Sequence, residues 1–87
     1  MRILVLDDDA GLRRTVSLLL EDEGHEVYTA ADGEEGLHKA TEVQPDLILT
    51  DVRMPGLDGI GFLDRYVEED GGARVIVMTA YGNADLA

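Results

Sequence analysis

The chain has 87 residues, 19 acidic against 7 basic, a formal net charge of −12 and no cysteine or tryptophan, so it makes one small domain with no disulfide to support it. The 45% hydrophobic content separates it from disordered chains, which combine high charge with low hydrophobicity. The negative excess argues against a direct nucleic-acid partner, because phosphate affinity comes from Lys and Arg; no apolar run approaches the roughly 20 residues of a bilayer span, so no membrane partner and a cytoplasmic location are expected.

In chain order, Ile3-Leu4-Val5-Leu6 is a continuous apolar run of the kind found in a strand buried on both faces, and predicts a central parallel strand over about residues 2–6. A helix is predicted over about residues 10–23. Leu12, Val16, Leu19 and Leu20 form its inward stripe, Gly24 stands at its end, and Arg13, Arg14, Ser17, Glu21 and Asp22 lie mostly on the other side. A short strand follows over about residues 26–30, and then a helix over 33–43 with Leu37 and Ala40 inward, stopped by Pro45.

Asp46-Leu47-Ile48-Leu49-Thr50 reads as a buried strand closed by Asp51, and Met54 to Gly59 as a loop. A third helix is predicted over about 58–70, its face marked by Ile60, Leu63 and Val67, and a last strand over about 74–79. Strands alternating with helices predict an open parallel sheet with helices on both faces, a three-layer α/β arrangement. In such sheets ligands bind beyond the carboxyl ends of the strands, where strand order reverses.

Those ends carry Asp7-Asp8-Asp9, Asp51 and Thr79. Two carboxylates about 4 Å apart repel by about 4 kcal/mol at an effective dielectric of 20, so several on one rim call for a shared cation or proton. A hard divalent ion such as Mg2+, which takes carboxylate, water and phosphate oxygens, is the natural resolution. Asp9 is expected to start the first helix. His25 and His38 have no partner at metal-ligand spacing and are expected to play no part in function; Tyr81 reads as a surface aromatic.

Three segments, Ile3 to Asp9, Asp46 to Gly59 and Val75 to Ala80, together resemble the receiver domains of two-component response regulators. Most specific is the Asp51-x-x-Met54-Pro55-x-x-Asp58-Gly59 loop after a buried strand, joined to the paired aspartates. The resemblance implies a flavodoxin-like (CheY-like) fold. It places a phosphoacceptor, taking its phosphoryl group from a sensor histidine kinase, on Asp51. It assigns Mg2+ to Asp8 and Asp51 directly, to Asp7 through water and to the backbone carbonyl of Arg53. Thr79 matches the switch hydroxyl that bonds a phosphoryl oxygen, Ala80 a small residue that leaves access, and Met54, Pro55 and Gly59 shape the loop.

Receivers continue through a fifth strand, ending in a lysine, and a fifth helix. The single lysine here is Lys39, on the predicted second helix, so residues 1–87 are expected to form an incomplete receiver. Two consequences are expected: impaired phosphorylation, and self-association through the exposed fourth strand. The stretch Met78 to Ala87 is similar to receivers of the nitrogen-regulator class, which implies a transcriptional output domain elsewhere. Two alternatives stay open: a haloacid-dehalogenase-type phosphohydrolase with Asp7 as nucleophile and Asp9 as general acid, and an interaction module that works without phosphorylation.

Overall fold

The computed structural model describes residues 1–54 and 56–78. Ile3, Leu4, Val5 and Leu6 are all buried, because their strand, β1 (Arg2–Leu6), lies between two others with helices packed on both faces. β2 (Glu26–Ala30) pairs with one edge of β1 and β3 (Leu47–Asp51) with the other; β4 (Arg74–Met78) adds to β3. All pairings are parallel and the order is β2-β1-β3-β4. Strand order therefore reverses between β1 and β3, where Leu6 stands level with Thr50. One residue further along come Asp7 after β1 and Asp51 at the end of β3.

Among the described residues three helices alternate with the strands: α1 (Ala10–Asp22), α2 (Gly33–Val43) and α3 (Gly59–Glu68). Each begins on an aspartate whose side chain accepts from a backbone N–H of the first turn, Asp9 from Leu12, Asp32 from Glu35 and Asp58 from Gly61. Glu35 also reaches back to the Ala31 N–H. α2 ends on Gln44 in the left-handed region, its N–H on the Ala40 carbonyl, and Pro45, next in the chain, cannot continue the helix. These bounds match the sequence reading to within two residues.

The core lies between the sheet and the α2–α3 layer, with Leu4, Leu6, Ala30, Ile48, Leu37, Ala40, Met54, Phe62 and Tyr66 packed together. Gly36 lets α2 approach, since a Cβ there would sit 2.4 Å from Leu6 Cδ2. Leu37 and Ala40 face inward as expected, but two helical stripes differ from expectation. In α3 the buried residues are Gly59, Phe62 and Tyr66, while Ile60 and Val67 are exposed. The two rings, stacked with centroids 5.6 Å apart, bury more apolar surface than the aliphatic stripe would.

α1 differs as well. Leu12 and Leu19 are 52% and 64% exposed, whereas Val16 and Leu20 are half-buried together with Arg13 and Ser17. The reason lies in coverage: α1 packs on β1 and β2. On the same side of the sheet Ile76 and Met78 of β4 are left exposed among the described residues. β4 is hydrogen-bonded only to β3 among the described residues.

Candidate functional site

Asp7 follows the last residue of β1 and is fixed at several points. Its N–H donates to the Ala30 carbonyl (3.1 Å), its Oδ1 accepts from the Asp9 N–H (2.9 Å), and its carbonyl accepts from Arg13 Nη1 (2.8 Å). Only 7% of the residue remains exposed. Asp9, as expected, serves the first turn of α1, with its Oδ1 taking the Leu12 N–H at 3.1 Å. Asp8 is exposed beside it.

Asp51 ends β3, half-buried. Its carboxylate takes a long contact of 3.4 Å from the Arg53 N–H, and its carbonyl accepts from Thr50 Oγ1 at 3.0 Å. The following loop turns back so closely that the Gly59 N–H meets the Val52 carbonyl at 3.0 Å. A Cβ on Gly59 would lie 2.2 Å from the Asp51 carbonyl oxygen, so glycine is a steric requirement of this turn.

Carboxylate oxygens of Asp7, Asp8 and Asp51 all lie within 4.8 Å of one another. Burial pushes the Asp7 carboxyl above the ordinary carboxylate range; the hydrogen bond from Asp9 opposes this, and the charges of Asp51, Asp8 and Asp9 push it further up. A cavity of about 360 Å³ adjoins the group, lined by Asp8, Val52, Arg53, Met54 and Asp58. This all-oxygen, multiply charged donor set fits a hard divalent cation and gives a soft metal nothing to prefer.

The structure therefore brings together Asp7, Asp8 and Asp51, and places Arg53 on the wall of the adjoining cavity. Thr79, Ala80 and Tyr81 lie outside the described residues. Arg13 was missed: it reads as part of the outer face of α1, yet its guanidinium is half-buried against Asp7. No spacing rule reveals a side chain that bonds a main-chain carbonyl. His38 lies on the surface beside Glu42, its side chain 81% exposed.

The hydrolase alternative is disfavoured by the same geometry. It needs Asp9 free as a general acid, but Asp9 caps a helix, and it needs Asp7 open to attack, but Asp7 is the most buried carboxylate of the group.

Residues 3–87 match the family model described as response regulator receiver domain. Sporulation initiation phosphotransferase F of Bacillus subtilis is 41% identical over 85 residues, which cover 98% of this chain and 68% of that protein. The regulatory protein AtoC of Escherichia coli is 37% identical over 86 residues, 99% of this chain but 19% of its own length. Among solved structures, the response regulator TrrA of Thermotoga maritima, in complex with Mg2+ and BeF, superposes with a TM-score of 0.87 at 36% identity, covering 94% of this chain and 71% of that one. The chain thus spans between about a fifth and two-thirds of the length of these two curated relatives.

Proposed function

The chain belongs to the response regulator receiver domain family of two-component signalling, and from that premise we propose that Asp51 is its phosphoacceptor, with the donor a histidine kinase. The observation that carries this reading is the meeting of Asp7, Asp8 and Asp51 within 4.8 Å at the point where strand order reverses.

In the proposed step an Asp51 carboxylate oxygen attacks phosphorus in line. The P–N bond of the phosphohistidine breaks, its electron pair stays on the imidazole nitrogen, and Asp51 carries an acyl phosphate. Asp8 and Asp51 would hold Mg2+ directly, Asp7 through water, with the Arg53 carbonyl completing the protein's share. When bound, the ion supplies positive charge against the phosphoryl oxygens and the carboxylates. The Asp9 bond to Asp7 keeps that carboxylate aimed at the group, and the Gly59 turn keeps Asp51 level with it. Thr79 is the hydroxyl assigned to a phosphoryl oxygen and to the switch that follows.

The wider reading includes a cytoplasmic protein whose output domain, of the transcriptional kind, lies beyond this stretch of chain. Lys39 is the one lysine of the sequence, and it sits on α2. Transfer to this chain alone is therefore read as slow, for want of a second cation on the phosphoryl oxygens. Self-association through β4 is supported by its second edge, unpaired among the described residues, and by exposed Ile76 and Met78.

Beryllofluoride with Mg2+ tests the acceptor without depending on the rate of transfer. Amide resonances of Asp7–Asp9 and Asp51–Met54 should shift in the wild-type chain and stay in place in Asp51→Asn. Equal shifts in both proteins, or none in the wild type, would remove Asp51 from this role.

A further inference from the structure

We infer that Arg13 is a positioning residue of the cation site, a strut from α1 that fixes the backbone of Asp7 so that its carboxylate stays beside those of Asp8 and Asp51. The inference rests on the reading of these three aspartates as a divalent-cation site.

Asp7 is tied from three directions. β2 takes its N–H through Ala30, the start of α1 supplies the Asp9 N–H to Oδ1, and Arg13, a turn further along α1, supplies Nη1 to its carbonyl at 2.8 Å. These bonds leave Oδ2 uncommitted among the described residues. The carbonyl is the first past the end of β1 and, being outside the strand, depends on a side chain or water for its partner. Arg13 provides a charge-assisted donor there, and its side chain is half-buried.

The placement of the charge separates a strut from an electrostatic partner. Among the described residues no ion pair involves Arg13; Arg2, His38 and Arg65 are paired with carboxylates elsewhere. The guanidinium holds the main chain and leaves the site's negative charge available to a metal. Partners that orient a metal ligand in this way are commonly worth 10- to 100-fold in metal affinity.

The two roles predict opposite signs. Loss of one positive charge near a cation site tightens Mg2+ binding slightly, whereas loss of a strut weakens it. Mg2+ titrations of the wild-type chain, Arg13→Gln, Arg13→Lys and Arg14→Gln, followed by NMR and calorimetry, read that sign directly. Arg14, the exposed neighbour, controls for the charge alone.

Arg13→Gln should bind Mg2+ about tenfold more weakly, Arg13→Lys a few-fold more weakly, because a single ammonium on a different stem replaces the planar fork. Arg14→Gln should bind as the wild type does or slightly more tightly. Faster amide exchange at Asp9 in Arg13→Gln should accompany the loss. Mg2+ affinity in Arg13→Gln equal to that of Arg14→Gln overturns the inference, and if Arg13→Gln does not fold, wild-type affinity in Arg13→Lys does so. A wild-type chain that binds no Mg2+ at the aspartates overturns the site reading itself, and this inference with it.

Discussion

Burial, reinforced by the charges of Asp51, Asp8 and Asp9, holds the Asp7 carboxyl above its ordinary value, so its charge opposes folding when no cation is present. The folded state binds the proton more tightly than the unfolded one. Stability of the metal-free chain should therefore fall as pH rises from the ordinary carboxylate value of about 3.8 through the raised folded value. Asp7→Asn keeps an oxygen for the Asp9 N–H and removes the charge. It should raise metal-free stability at pH 7 by about 1 kcal/mol, flatten that fall with pH in urea titrations, and weaken Mg2+ binding. The neighbouring requirement is steric. Gly59→Ala would drive a Cβ into the Asp51 carbonyl and should weaken Mg2+ binding severalfold by moving the acceptor. Gly56→Ala, strained at φ +76 but meeting nothing within 4 Å, should destabilise the loop by about 1 kcal/mol with little change in Mg2+ affinity. Asp7, Asp8, Asp9 and Asp51 were legible as residues because they follow apolar runs; Arg13 was not, because its partner is a carbonyl that every residue carries.

At the scale of elements, the strands and α2 were readable and the rotations of α1 and α3 were not. An amphipathic period announces a stripe, but a shift of one residue turns a helix by about 100°, and α3 carries apolar side chains on both sides of its true inner face. Phe62 and Tyr66 won over Ile60 and Val67 because the Asp58 cap and the Gly59 turn fix where the helix starts against β3. Phe62, fully buried, should cost about 3–5 kcal/mol on truncation to Ala, while Val67→Ala should change stability by under about 0.5 kcal/mol; thermal or urea unfolding of the two variants checks the ranking. In α1 the chosen side depends on where the sheet offers a surface. β1 and β2 take Val16 and Leu20, and Leu12 and Leu19 are left outward. No periodicity within residues 10–22 contains that information.

The whole molecule carries −12 charges on 87 residues, with part of the excess gathered at one rim. Salt screens such repulsion over a Debye length of about 10 Å at 0.1 M, so the melting temperature should rise with NaCl. MgCl2 at matched ionic strength should raise it by several degrees more, as binding to the folded state alone requires, and Asp7→Asn and Asp51→Asn should lose that increment. Ile76→Lys on the exposed side of β4 should hold the chain monomeric at concentrations where the wild type associates, read by sedimentation velocity. The order of apolar runs and turn residues was enough to determine an alternating α/β chain with a parallel sheet, because strand and helix periods are local properties. It also determined that carboxylates end β1 and β3, since each sits next in sequence to a buried run. Only the tertiary structure decided that Asp7, Asp8 and Asp51 share one site, that Asp7 is the buried member, and that Arg13 reaches it, because distance across a sheet and exclusion of water are set by packing between segments far apart in the chain.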